Sequence, residues 1–330
     1  MKKEKVLRLE DWTTNYFEES KNLDSNEIYP ICIPTYKRGD KPFSIDLVGQ
    51  YPELKIFVFG YKDDIEENYQ NVMAKYPNIT FVKCEGFRGV IPKRNFINEY
   101  MDKIGFDQFF VMDDDITGLF FTKHGTLKDG TGYKADKQQL TGLEFFKMWT
   151  WIIQNKAEKN MAICGLINEA SSWCQDLRTM PDIINIAGAV QVTYLNGKLL
   201  KEKGIKYDEN SGWEDYDICM QALYKGLMSS QVRYLTYTTA PMRVGVSVAT
   251  VGENKWTVNS MRLYSKWGEC IRFKPQQGQL NAKCRWVSIR SMFRRLGKLV
   301  ISYKPEYMDF INKNDVEGLI NYVNQEKGKK

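Results

Sequence analysis

Three adjacent carboxylates, Asp113, Asp114 and Asp115, follow the apolar run Phe109-Phe110-Val111-Met112 with no turn residue between. Charges that close repel, and desolvation makes the repulsion worse. A cation is the simplest remedy, and hard carboxylate oxygens suit Mn²⁺ or Mg²⁺. Side chains alternate along extended backbone, so Asp113 and Asp115 are expected to share one direction and Asp114 to take the other. That leaves one cation-facing pair at D-x-D spacing. A lone D-x-D is explained more simply as a solvated acidic turn after a strand, so its weight depends on the rest of the chain. A second acidic cluster, Glu214-Asp215-Tyr216-Asp217, follows Gly212-Trp213 and opens a helical pattern through about Tyr224, with Gly226 as its stop. Taken alone, carboxylates in a first turn need only complement the helix dipole. Between the clusters' positions and the N-terminus lies Gly86-Phe87-Arg88-Gly89-Val90-Ile91-Pro92-Lys93-Arg94-Asn95. This glycine-punctuated loop enters a helix near Pro92, and its basic residues and free N–H groups form a natural anion site.

The elements that must position these groups read as strand and helix in alternation. Ile28–Ile33 ends at Pro34 and leads to a polar, basic loop with Lys37 and Arg38. Leu54–Gly60 is a second strand, followed by Tyr61 and the pair Asp63-Asp64, then a helix from about Ile65 to Lys75 and a third strand, Ile79–Cys84. The Pro92 helix follows, and then the Asp113 strand, whose continuous apolar run suits a parallel strand covered on both faces. In open α/β sheets ligands bind beyond the carboxyl ends of such strands. After Asp115 the pattern predicts a glycine-rich loop over Gly125–Lys137, an aromatic-rich helix over Thr141–Lys156, strands at Met161–Leu166, Ile183–Val192 and Val232–Tyr237, and a polar stretch around Ser171, Trp173 and Gln175.

The composition is that of a soluble globular chain: 330 residues, 43% hydrophobic, 27% charged, 13% aromatic. No apolar run approaches the ~18 residues a membrane span needs, and no hydrophobic region follows the basic start Met1-Lys2-Lys3. Seven scattered cysteines argue for reduced thiols in a cytoplasm, with Cys32, Cys84 and Cys164 as small core residues. The single histidine, His124, nearly excludes histidine general bases and histidine-rich zinc sites. A net charge of +6 is compatible with a polyanionic partner. Basic residues concentrate between Lys266 and Lys304, where Arg285, Arg290, Arg294 and Arg295 alternate with Trp267, Phe273, Trp286 and Phe293. Nucleic-acid backbone with accessible bases would favour such a stretch, and an amphipathic helix with a solvated basic face accounts for it equally well. The expected organisation is an N-terminal arm (1–27), an α/β domain (28–250) and a basic, mainly helical C-terminal region (251–330).

In order, the Ile-Pro-Thr-Tyr-Lys-Arg strand end, the Lys-Arg-Asn helix, the Met-Asp-Asp-Asp-Ile strand end and the Trp-Glu-Asp-Tyr-Asp helix start resemble the GT-A glycosyltransferases across residues 28 to 245. Within that superfamily the Gly-Phe-Arg-Gly-Val-Ile-Pro-Lys-Arg-Asn turn and the triple Asp look most like the TET-associated glycosyltransferases of phages, a family held to glycosylate hydroxymethylated pyrimidines in DNA. The resemblance implies a GT-A-like mixed, mainly parallel central sheet flanked by helices. It implies a nucleotide-sugar donor, a UDP-sugar, with Mn²⁺ or Mg²⁺, and 5-hydroxymethylcytosine or a related base in DNA as acceptor. It would place Pro34, Thr35 and Arg38 at the nucleotide base and ribose, Asp63 or Asp64 beside them, and Arg94 at the diphosphate or sugar. Asp113 and Asp115 would hold the metal, with Asp113 and Asp114 also on the donor. Asp215 would be the general base, with Glu214 competing for the role. The resemblance does not extend past about residue 250, and Arg285, Arg290, Arg294 and Arg295 would meet DNA on charge and aromatics only. The chain would work in the cytoplasm, the host's if phage-encoded, with no membrane and no obligate protein partner. One departure is the late third metal ligand, often His, that many GT-A enzymes supply: no His follows position 124. Rival readings are a transferase acting on a polysaccharide or glycan, a nucleotidyltransferase releasing pyrophosphate, and a non-catalytic DNA-binding module on a transferase scaffold.

Overall fold

The computed structural model describes residues 16–126, 133–168, 183–185, 191–211 and 213–240, with residues 259, 262, 263, 266, 267, 318, 322 and 325. Its strands are β1 (Ile31–Pro34), β2 (Ile56–Tyr61), β3 (Thr80–Cys84), β4 (Gln108–Met112), β5 (Ile116–Thr126), β6 (Tyr133–Gln139), β7 (Met161–Asn168), β8 (Ile183–Asn185), β9 (Val192–Asn196) and β10 (Met228–Thr239). Its helices are α1 (Phe43–Val48), α2 (Lys62–Asn68), α3 (Gln70–Lys75), α4 (Val90–Lys103), α5 (Gly142–Lys156), α6 (Gly197–Glu202) and α7 (Glu214–Tyr224). The strands form one mixed sheet in the order β3-β2-β1-β4-β9-β7-β10-β5-β6, with β8 pairing to β10.

The first four strands in that order are parallel. Chain order runs outward from β1 to β3 and returns past β1 to β4, so the sheet reverses direction between β1 and β4. Such a switch point opens a crevice beyond the carboxyl ends of the two strands, and both the Thr35–Arg38 loop and the aspartate cluster emerge there. Beyond β4 the pairing is antiparallel, except where β7 meets β10. The sheet is thus the mixed α/β type the sequence implied.

β4 is held on both faces. Phe110 and Met112 enter the core with α1, α3 and α5, whereas Phe109 and Val111 enter the core with α4, α6 and α7. On the first face Phe110 stacks on Trp149 of α5 at 4.5 Å between ring centres. α5 starts where Thr141 and Glu144 cap each other's backbone N–H groups, a reciprocal box that satisfies two orphan donors. Truncating a core Phe to Ala typically costs ~3–5 kcal/mol, so the strand end carrying Asp113 is a rigid mount.

Several elements differ from the sequence reading. Part of the loop expected over Gly125–Lys137 is strand instead: β5 runs to Thr126 and β6 starts at Tyr133, paired His124 to Ala135 and Thr126 to Tyr133, with the residues between outside the described ones. The polar residues at both ends satisfy their backbone through the partner strand. Of the strand expected over Ile183–Val192, β8 covers Ile183–Asn185 and pairs with β10, β9 begins at Val192 and pairs with β4 and β7, and residues 186–190 lie outside the described ones. The helix expected from Ile65 to Lys75 breaks at Tyr69 into α2 and α3. Short α1 and α6 lay in stretches too brief to show a helical period. Among the described residues no helix is long and apolar enough to cross a membrane, and Cys32, Cys84, Cys164 and Cys219 are buried free thiols.

The chain beyond 250 contributes to the fold as well. Leu263 and Trp267, four residues apart in a helical stretch, are fully buried in the core around α7. Trp267 stands edge-on to Tyr224 at 6.2 Å.

Candidate active site

At the end of β4 the chain leaves the strand, with Asp114 and Asp115 in a turn rather than in the extended backbone expected, so strand alternation does not set their directions. Asp114 turns toward the loop after β1, where its Oδ2 accepts the Thr35 hydroxyl at 3.0 Å and the Tyr36 N–H at 3.1 Å. Its Oδ1 lies 3.4 Å from the Arg38 guanidinium. Asp113 turns the other way, 3.2 Å from Arg94 Nη2. Asp115 keeps one oxygen, Oδ1, buried and without a hydrogen-bond partner. Ser44 of α1 braces the turn by donating to the Asp113 carbonyl and accepting the Ile116 N–H.

The loop after β1 is fixed from below. Lys37 holds a left-handed φ of 53° and its N–H donates to Asp64 Oδ2 at 2.8 Å, while Asn68 donates to the other oxygen. Asp64 is therefore spent on shaping the loop. Tyr69 donates or accepts at Thr35 and accepts the Arg38 N–H. Lys93, buried, donates to the Thr35 carbonyl at 2.6 Å and lies 4.2 Å over the Tyr61 ring. Burial lowers its pKa, and the nearby carboxylates of Asp114 and Asp64 oppose that. Asp63 instead faces solvent, paired with Arg88 at 2.6 Å. Both line a cavity of about 630 Å³ with Lys62, Cys84, Glu85, Gly86 and Phe87, to one side of the aspartate cluster. Pro34 closes β1, in register with Phe59.

α4 brings the second half of the site. Gly89 precedes it with φ of 110°, where a side chain would be strained, and its N–H and carbonyl are both held by the Tyr61 hydroxyl. Five residues on, Arg94 is buried between the two acidic clusters, 3.2 Å from Asp113 and 3.8 Å from Glu214 Oε1. Burial works against its charge, but Asp113 and Glu214 more than offset that and the guanidinium pKa is raised. Its Nε has no partner, and neither does Arg38 Nη1. Buried donors left unmatched are costly, and these two belong to guanidiniums that already pair with the aspartate cluster.

Glu214 and Asp215 open α7, both half-buried. Trp213 before them is left-handed, with φ of 49°. Among the described residues only Lys37 and Trp213 are non-glycine with positive φ, a strain of order 1–3 kcal/mol each that flanks both chemical loops. Burial and the Glu214 charge push the Asp215 carboxyl up to about 6, with Arg94 pulling the other way. Asp113 is pushed up to about 7, by burial first, against Arg94. Asp114 and Asp115 are raised too, again by burial first. Tyr237 of β10 walls the site: burial, then the charges of Asp113, Asp115 and Asp215, raises its phenol pKa. Asp217 is not part of this group, because Lys266, Trp267 and Gln221 occupy both its oxygens.

A divalent cation fits the aspartate end. The donors are hard oxygens, Asp115 Oδ1 is unmatched, and burial penalises three carboxylates that a cation would relieve. Among the described residues no three His, Cys, Asp or Glu side chains converge to enclose a metal. The fit is therefore to an ion held by one or two carboxylates, with water and phosphate supplying the rest, as hard cations in nucleotide sites commonly are.

Sequence reasoning named Lys93 with Arg94 in a basic helix start but did not single out Ser44, Tyr69 and Tyr237. These three are single hydroxyl-bearing residues in unremarkable stretches. Arg285, Arg290, Arg294 and Arg295, and the polar stretch around Ser171, Trp173 and Gln175, lie outside the described residues.

Comparison with known proteins bears on what this geometry serves. No curated protein matches the sequence. Among solved structures, the chain is similar to the mannosyltransferase PcManGT of Pyrobaculum calidifontis, in complex with GDP-Man and Mn²⁺, at TM-score 0.47 and 11% identity, over 80% of this chain and 75% of that one. It is also similar to GalNAc-T7 with UDP, GalNAc and Mn²⁺, at TM-score 0.45 and 11% identity, over 73% of this chain and 48% of that one. Assignment rests on the sequence family instead. The model described as TET-Associated Glycosyltransferase matches residues 29–245, well over half of the 330. Since that span takes in the β1 loop, the Arg94 helix and both carboxylate clusters, the chain belongs to the TET-associated glycosyltransferase family.

Proposed function

We propose that this glycosyltransferase moves a sugar from a nucleotide-sugar donor, a UDP-sugar, to the hydroxyl of 5-hydroxymethylcytosine or a related hydroxymethylpyrimidine in DNA. The observation that supports it best is the placement of Arg94 between Asp113 and Glu214. A fixed positive charge there joins the switch-point crevice, suited to a diphosphate, to a half-buried carboxylate pair suited to an acceptor. The DNA acceptor is the one expected of the family, and the basic, aromatic sequence after Trp267, as far as Lys304, is consistent with it, whereas Lys266 and Trp267 themselves are buried and take no part.

In this reading the acceptor oxygen forms a bond to the anomeric carbon as the bond from that carbon to the donor phosphate breaks. The electron pair leaves with the nucleoside diphosphate, and the acceptor proton passes to Asp215. Asp115, with Asp113, would hold Mn²⁺ or Mg²⁺, which when bound supplies Lewis-acid neutralisation of the departing diphosphate. Arg38 and Arg94 offer the unmatched N–H groups to the donor's anionic part. Thr35 and the Asp64-supported backbone of Lys37 shape the nucleoside end.

A transfer screen tests this: the protein with Mn²⁺ or Mg²⁺, a panel of nucleotide sugars, and duplex DNA bearing hydroxymethylcytosine or plain cytosine, followed by digestion and mass analysis of nucleosides. A sugar-sized gain on the hydroxymethylated base alone is expected. Donor hydrolysis without that gain would discard DNA as acceptor.

Two further outcomes are expected. A base must be deprotonated to work, so transfer should rise as pH climbs through about 6, the pKa to which Asp215 is pushed, and level off above. Glu214→Gln removes a like charge, lowers the Asp215 pKa and should shift the rising limb to lower pH. An unmoved limb would mean another group sets it. Asp115→Asn should leave the ligand-free melting temperature unchanged or higher, since it relieves repulsion. It should abolish the added stability conferred by Mn²⁺ with UDP, which reaches roughly 2.7 kcal/mol at a hundred times Kd. A full Mn²⁺-dependent shift in that variant would remove Asp115 from the cation.

A further inference from the structure

The segment from Asp208 to Asp217 carries Glu214 and Asp215, contains the left-handed Trp213, and has among its described residues no regular structure before α7. Something must hold it in register with Arg94. Its start is tied by Tyr207, whose N–H donates to Asn95 Oδ1 while Asn95 Nδ2 donates to the Tyr207 carbonyl, each at 2.9 Å. Asp208 then spends Oδ1 on the Asn210 N–H in a local turn. Its Oδ2 accepts Lys266 Nζ at 2.7 Å. The same ammonium lies 2.9 Å from Asp217, which is fully buried and also accepts Trp267 Nε1 at 2.7 Å and Gln221 Nε2 at 2.6 Å. One buried cation therefore bonds to a carboxylate on each side of the Glu214–Asp215 pair. Lys266 lies beyond residue 245, outside the span shared with the family.

We propose that Lys266 is a positioning residue for sugar transfer: its ammonium staples Asp208 to Asp217 and so sets where Glu214 and Asp215 stand relative to Arg94. This rests on the proposed role of those carboxylates. A buried ion pair adds little net stability over apolar packing but fixes one arrangement, because each partner is costly to leave unmatched. Trp267, inserted beside Lys266 and bonded to the same carboxylate, anchors the stretch that delivers the ammonium. Lys266 and Trp267 are thereby built into the catalytic unit.

The test compares full-length wild type, Lys266→Met and Lys266→Arg by hydrogen exchange without ligand, and by transfer kinetics with the donor and DNA from the screen above. In Lys266→Met the amides of residues 208–217 should exchange at least about tenfold faster while those of β1, β4 and α4 keep their protection, and Lys266→Arg should recover part of it. kcat should fall at least about tenfold with the donor KM changed by less than about twofold, again partly restored in Lys266→Arg. Unchanged exchange over 208–217 overturns the staple. Loosened exchange with wild-type kcat overturns the positioning role. If Lys266→Met does not fold, Asp208→Asn, which removes one arm at a partly exposed carboxylate, is read by the same criteria. Should wild type transfer no sugar, the functional reading fails, and the exchange comparison alone still decides whether Lys266 holds the segment.

Discussion

In the Asp215→Asn variant, transfer should fall ~10²–10⁴-fold while donor binding stays within about twofold, the pattern of a lost general base. Asn keeps the shape and can still accept the Tyr216 N–H that now meets Asp215 Oδ1 at 2.9 Å, so α7 should start as before. What disappears is the proton acceptor. Asp217 cannot substitute, since Lys266, Trp267 and Gln221 already occupy it in the core. Glu214 is the nearest rival, 3.8 Å from Arg94. Single-turnover kinetics on Asp215→Asn and Glu214→Gln separate them, with nucleoside diphosphate release and mass gain on the acceptor followed together. Near-normal turnover in Asp215→Asn beside a collapse in Glu214→Gln would assign the base to Glu214.

Arg94→Met should be the most destabilising change in the site. The guanidinium is buried against Asp113 and Glu214, and breaking a buried pair from one side typically costs ~3–5 kcal/mol because the other charge is left uncompensated. The deficit should depend on pH in a definite direction. Asp113 is already pushed up to about 7 with Arg94 in place, by burial, so the folded state holds its proton where the unfolded chain has lost it. A carboxyl raised in the folded state favours folding at low pH, and that advantage is lost as pH rises from the unfolded value through the folded one. Removing Arg94 raises the folded value further, so the variant's deficit should be small at pH 5 and larger at pH 8. Melting temperatures of both proteins at the two pH values, without divalent cations, measure it. Equal deficits would mean Arg94 acts through packing alone. The variant should also lose affinity for UDP with Mn²⁺, since the anion end of the crevice loses an N–H donor.

Much of this was legible in the residues. The apolar run before Asp113 had to be covered on both faces, and β4 indeed feeds two cores. Gly89 and Pro92 announced the start of α4, and Gly226, with φ of 78°, ended α7 as read. These are local signals: alternation, a fixed φ, a missing Cβ. They act within a few residues, so a sequence displays them directly.

The division of labour among the charges was decided elsewhere. Asp63 and Asp64 are neighbours of one type, yet one sits at the surface with Arg88 and the other is buried under Lys37. A helix turns about 100° per residue, so adjacent side chains face different ways, and only the docking of α2 determines which faces the β1 loop. Arg94 joins Asp113 to Glu214, and Lys266 joins Asp208 to Asp217. Within the sequence, what was determined was which groups could do chemistry and where the sheet would present them. Which of those groups are free to act, and which are spent holding the others, was set by tertiary structure, because a buried charge takes its role from partners brought near by the packing of the whole chain.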